Sequence, residues 1–208
     1  MDVTAEEKRK LLQSYVFYQF KPIRLRDFIF RLVFTALIPL GAAIVEKKTC
    51  FTAVASILSI ICGLICIAVY VFPSDPYQKR FTIDGVFVTY ISIISNYGSS
   101  QLFTHGKNTI VTLLFFLLLI LSSFTFLLIT CELIKRDKYS KPTKASVFSP
   151  AIGAVLGLSL ARLLVPNIPA DIAERALAFL CLFSSLVFSC GVCFFQKLYY
   201  YRRIIAGH

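Results

Sequence analysis

Five apolar runs, near residues 28–45, 51–72, 109–130, 150–165 and 177–195, alternate with short polar turns. A sixth stretch, 86–103 (VFVTYISIISNYGSSQLF), has the length of a span but carries far more hydroxyl and amide groups. A helix needs roughly 17–25 mostly apolar residues to cross the hydrocarbon core, so these runs predict helices on a membrane scale. The run at 150–165, opening at Ser149 and Pro150 and fifth in chain order once 86–103 is counted, is the shortest.

Ahead of the first run, Thr4 and Glu7 have the spacing of a capping box, which predicts a helix start. Lys8, Arg9 and Lys10 precede Leu11, Leu12, Tyr15, Val16 and Tyr18, so the segment to Phe20 reads as an amphipathic helix along the headgroups. A solvated basic arm reads equally well from these residues. Pro22 ends or turns it. Asp27 and Arg31 stand one turn apart where the first span begins, placed to pair or to snorkel, and Pro39 predicts a kink.

Ser56, Ser59, Gly63 and Cys66 form a face of small residues on the second span, and Gly153, Gly157 and Ala161 form another on the fifth. Such faces let helices approach closely. Pro73 to Pro76 terminates the second span. Arg162, within a turn of the boundary set by Pro166 and Pro169, is placed to snorkel or to meet Asp171 or Glu174.

Charge decides whether 86–103 crosses. Without it, the run at 109–130 would put Lys135, Arg136, Lys138, Lys141 and Lys144 outside, against the positive-inside rule. With it, and with 150–165 also crossing, sixteen Lys and Arg lie on the inner side and four (Lys47, Lys48, Lys107, Arg175) on the outer. The expected fold is an all-α integral membrane protein of six transmembrane helices, with N- and C-termini cytoplasmic. Residues 1–22 make the N-terminal amphipathic helix, 23–198 the membrane domain and 199–208 a basic cytoplasmic tail.

Composition agrees with this class: 57% of residues are hydrophobic, 16% are charged and the mean hydropathy is +0.75. Soluble domains sit nearer half and a quarter. The charged stretch before residue 28 is too long for a signal-peptide n-region, so the first run is expected to stay as an anchor. A net charge of +11 raises nucleic acid as a partner, yet no aromatic-interleaved basic groove accompanies it, so nucleic-acid binding is not expected.

Cys190 and Cys193 have redox spacing but lie in an apolar span, where low dielectric favours the inert thiol. Cys62 and Cys66 read as packing residues. His105 and His208 fall on opposite sides of the membrane in this topology, so no metal site is expected, and no sequence feature calls for a cofactor. Hydrolase, zinc-protease and phosphate-loop motifs are missing from the sequence, and no span carries a pair of carboxylates, so an enzyme is not expected.

Function therefore rests on 86–103. Thr89, Ser92, Ser95, Asn96, Ser99 and Ser100 recur at helical intervals over an arc of about 140°. They read as a solute path, because hydroxyl and amide groups replace a water shell without trapping the solute. The competing interpretation is polar glue to the small faces of spans two and five. A pore or transport path for ions or small polar solutes, formed by a homo-oligomer, is the first expectation.

The second is a sensor, scaffold or immunity-type subunit of a complex. Its basic inner face, with Lys135, Arg136, Lys138, Arg202 and Arg203, would meet anionic inner-leaflet lipid or a cytosolic protein partner. The expected location is a bacterial inner membrane.

Overall fold

In the computed structural model, residues 5–18, 21–45, 49–104, 108–139 and 170–205 are described. Their regular structure is entirely helical: α1 (Ala5–Phe17), α2 (Leu25–Val45), α3 (Thr49–Val71), α4 (Pro76–Thr104), α5 (Thr109–Lys135), α6 (Ala170–Phe188) and α7 (Val192–Ile205). A 3₁₀ turn, Ser189–Gly191, joins the last two. The expected fifth span, with Gly153, Gly157, Ala161 and Arg162, lies outside the described residues, as do Thr4, His105, Lys141 and Lys144.

Among the described residues, Phe51–Val71, Thr109–Lys135 and Arg175–Ile205 are long and apolar enough to cross a membrane. Their side chains are arranged accordingly. On α5, Leu113, Leu114, Leu117, Ile120, Leu121 and Phe124 are exposed, while Leu119, Thr130 and Ile134 are buried. An apolar exterior around a partly polar interior suits a hydrocarbon solvent, which offers backbone and side-chain polar groups no hydrogen bonds.

The least oily of the expected spans belongs to the central helix. α4 packs against α3, α5, α6, α7 and the 3₁₀ turn, while α2 packs on α3. It also begins ten residues before the predicted 86–103 span, because Asp75 and Pro76 start a helix as well as ending the previous one. The Asp75 carboxylate accepts from the Tyr77 backbone N–H at 2.8 Å, and Pro76 occupies the first helical position, where a missing N–H costs nothing. At about 1.5 Å per residue, the 29 residues of α4 reach about 43 Å, so Lys79, Arg80 and Asp84 belong to its first turns rather than to a loop.

Two clusters hold the bundle together. Phe28, Ala55, Cys62, Cys66, Ile83, Tyr90 and Ile94 join α2, α3 and α4. Tyr15, Val16, Phe81, Ile134 and Tyr201 join α1, α4, α5 and α7. The expected continuous sixth helix, 177–195, is interrupted at Ser189–Gly191, and 199–205 of the expected tail is helix, with Tyr201 buried.

Close approach uses glycines other than the one predicted on α3. A Cβ on Gly191 would stand 2.9 Å from Thr89 Oγ1 and 3.0 Å from the Thr89 backbone nitrogen. At Gly85 it would meet the Phe195 ring at 2.9 Å. Gly63 meets nothing within 4 Å, whereas Ser59, on the same expected face, is buried and hydrogen-bonds through Oγ to the Tyr90 hydroxyl.

Candidate functional site

The polar stripe of α4 faces other helices of the same chain. Ser92 Oγ donates to the Ser185 carbonyl at 2.7 Å, and Ser99 Oγ to the Ala178 carbonyl at 2.7 Å, both on α6. Asn96 Nδ2 donates to the Phe115 carbonyl of α5 at 3.0 Å. Ser100 Oγ donates to the Tyr97 carbonyl and accepts from Thr112 Oγ1 on α5. Thr89 lies under Gly191, and Ser95 is half-buried. Ser92, Asn96, Ser99 and Ser100 are fully or almost fully buried, and this face is enclosed by α5 and α6 within a single chain.

Toward the start of α4 lies a charge network that local sequence reasoning divided wrongly. Arg31 Nη1 donates to the backbone carbonyl of Asp27 at 2.6 Å, and Nη2 stands 2.6 Å from Asp84 Oδ1. Arg80 Nε donates to Asp84 Oδ2 at 2.5 Å, and its Nη1 reaches Asp27 Oδ2 at 3.3 Å. Arg31 therefore turns inward to α4 instead of pairing with the Asp27 carboxylate or snorkelling. Asp27 and Arg31 run in the order acid, base along α2; Arg80 and Asp84 run base, acid along α4. Helices lying parallel with these inverted pairs match at both levels, and the formal charge of the four sums to zero. The inverted order of two four-residue spacings was the available signal.

Beyond the network, the Ser59 hydroxyl meets Tyr90, whose hydroxyl donates to the Thr35 carbonyl at 3.5 Å. Phe28 stacks on Tyr70 at 4.1 Å between centroids. Lys79 Nζ donates to the Tyr70 carbonyl at 2.8 Å, satisfying an acceptor left free at the end of α3.

The same end of the bundle carries α1. Its Tyr15 hydroxyl lies 3.1 Å from Gln196 Oε1 and 3.3 Å from the Cys193 carbonyl, and its ring is edge-on to Tyr139 at 4.9 Å, with Lys197 Nζ 5.0 Å from the centroid. Phe17 packs edge-on to Tyr77 and Tyr201. Burial pushes the Tyr15 and Tyr139 phenols up, so both stay neutral and the Tyr15 hydroxyl remains a donor. Tyr201 Oη donates to Asp75 Oδ1 at 2.7 Å, tying α7 to the cap of α4.

Around this aromatic floor the cations point outward. Lys8, Arg9 and Lys10 on α1, Lys135, Arg136 and Lys138 at the end of α5, and Arg202 and Arg203 on α7 are all exposed. Lys10 pairs with Glu6 at 2.9 Å and Arg136 with Glu132 at 3.0 Å, both at the surface, where such pairs contribute little.

Cys193 Sγ contacts Thr130 Oγ1 at 3.3 Å, and Cys131 Sγ accepts from Gln196 Nε2 at 3.3 Å; both are free thiols. Among the described residues, no three His, Cys, Asp or Glu side chains converge on a point where a metal ion would sit. Comparison of the chain with protein-family models, with curated proteins and with solved structures finds no match.

Proposed function

We propose that this chain is a six-span membrane subunit, with both termini cytoplasmic, that presents a basic platform to anionic lipid and to an acidic cytosolic partner. A bacterial inner membrane is the proposed setting. One observation carries the reading: α1 is docked by its aromatic face onto α5 and α7, with its Lys8, Arg9 and Lys10 exposed, as are the cations at the ends of both helices. Each basic residue near an anionic surface contributes about 1 kcal/mol, and an ordered set adds without the cost of ordering a free arm.

The test is lipid selectivity. Purified protein in nanodiscs containing equal phosphatidylglycerol and phosphatidylcholine should retain the anionic lipid on delipidation, and the Lys8→Gln/Arg9→Gln/Lys10→Gln variant should retain less. Equal retention of both lipids by the parent protein would remove the platform reading.

Transport of a small polar solute is the second reading, supported by the Ser and Asn groups buried along the middle of the central helix. In this reading the path runs between α4, α5 and α6 inside one chain, and an oligomer is a set of parallel paths rather than a ring lined by α4. Proteoliposome flux that falls in Asn96→Leu would support it; no flux of ions or solutes under any gradient would end it.

A further inference from the structure

Three buried side-chain oxygens have no hydrogen-bond partner among the described residues: Asp84 Oδ1, Asn96 Oδ1 and Ser185 Oγ. Asp84 Oδ1 lies 2.6 Å from Arg31 Nη2, so a charge compensates it. Nothing comparable serves Asn96 and Ser185, both of which are 0% exposed. Buried polar groups are nearly always paired, and in a hydrocarbon setting bulk water does not make up the loss.

The two orphans share a neighbourhood. Ser92 and Asn96 lie one turn apart on α4, a rise of about 6 Å. The Ser92 hydroxyl bonds the carbonyl of Ser185 itself, so Ser185 sits at that level of α6. The orientation of Asn96 follows from its partner: the Phe115 carbonyl accepts only from the amide nitrogen, so Oδ1 turns away from α5.

Ser185 also departs from the habit of this chain. Thr35, Ser56, Ser59, Thr82, Thr104 and Thr125 each donate to the carbonyl four residues back in their own helix. Ser185 does not, although Cys181 is four residues back on α6.

We propose that Asn96 Oδ1 and Ser185 Oγ, with the remaining acceptor capacity of Ser92 Oγ, bind one small neutral hydrogen-bond donor between α4, α5 and α6. Water is the smallest member of the class, and ammonia and short hydroxylated solutes are the others. Two hydrogen bonds of about 2.8 Å span the separation expected of groups one turn apart. Three polar partners meet what a buried water requires. An ion is disfavoured, because Asp84, the nearest charged residue on α4, lies twelve residues from Asn96, about 18 Å along the helix.

The site is independent of the platform reading, and its test uses different measurements. The full chain, purified in polyol-free buffer and solved at a resolution that shows water, should carry a peak within hydrogen-bond distance of both oxygens. If the peak appears only after glycerol or ammonia is added, the bound donor is the solute and the site stands.

Ser185→Ala supplies a sign test that does not depend on density. With the site filled, removing the hydroxyl deletes a ligand contact and lowers Tm. With the site dry, the same change removes an unsatisfied buried hydroxyl and raises Tm. No peak under any of these conditions, together with a higher Tm for Ser185→Ala, overturns the proposal.

Discussion

Arg31 on α2 and Asp84 on α4 are 53 residues apart and meet at 2.6 Å, with the Asp84 side chain 6% exposed. Neither is compensated by its own helix alone. Asp84 keeps Arg80 when Arg31 is removed, so Arg31→Leu should cost less than Asp84→Leu, which takes the carboxylate from Arg31 and should cost about 3–5 kcal/mol as loss of one partner of a buried pair does. Replacing both, as Arg31→Leu/Asp84→Leu, should recover most of that loss, although Arg80 then loses Asp84. Thermal unfolding in detergent of the two single variants and the double variant measures the coupling; strictly additive losses would show that the pair is not an energetic unit.

The glycines give opposite expectations. Gly191→Ala forces a Cβ to 3.0 Å from the Thr89 backbone nitrogen, so α4 or the 3₁₀ turn must move. A loss of about 1–3 kcal/mol follows for overpacking of this kind. Gly63→Ala meets nothing within 4 Å in the middle of α3 and should stabilise by up to about 1 kcal/mol through helix propensity. A Tm that falls for both, or rises for both, would contradict the packing described here.

These cases show where sequence was sufficient. Apolar runs placed α3, α5 and α6 because lipid-facing side chains need no partner, so composition and length alone identify them. Pairing between helices is a different problem. Pro73 to Pro76 was legible as a stop, but Asp75 and Pro76 also start α4, and missing that start left Arg80 and Asp84 outside any helix. Without a common helix their spacing carries no meaning, and Arg31 then has only pairing with Asp27, its neighbour in sequence, or snorkelling open to it. The stripe on 86–103 was legible as a helical face. Its neighbours α5 and α6 were not, since a serine that donates to a carbonyl and a serine that lines water look alike in sequence. Ser59 and Gly63 likewise share a predicted face, yet only Ser59 is buried, because the buried stripe of α3 runs through Ala55, Ser59, Cys62 and Cys66 and passes beside Gly63.

Acid should loosen the start of α4 at one identifiable group. Partial burial pushes the Asp75 carboxyl up, but hydrogen bonds from the Tyr201 hydroxyl and the Tyr77 and Gln78 backbone N–H groups outweigh it and hold it below the usual range. A group depressed in the folded state stabilises above its unfolded value and loses that contribution as pH falls through the folded one. The window therefore lies below roughly pH 4. Asp75→Ala should cost about 1 kcal/mol near neutrality, as loss of a helix cap does, and should flatten the acid limb of Tm against pH. An acid limb unchanged in the variant would assign that titration elsewhere.

The side of the membrane on which each turn lies can be read directly. α4 is the helix on which the six-span arrangement depends, since if it does not cross, Lys135, Arg136 and Lys138 change sides. Ser74, before α4, and Asn108, after it, are both exposed, so each is open to an aqueous label if the helix crosses. In a cysteine-free background, Asn108→Cys in intact cells should react with a membrane-impermeant maleimide, whereas Ser74→Cys and Lys138→Cys should react only after permeabilisation. The proposed orientation requires this pattern, because the basic residues at the C-terminal ends of α5 and α7 are then held inside by the positive-inside rule. Labelling of Ser74→Cys and Asn108→Cys from the same side would mean that α4 lies within one leaflet. The Ser and Asn groups of its middle would then be interfacial, and the reading of a path through the bundle would fall with the topology.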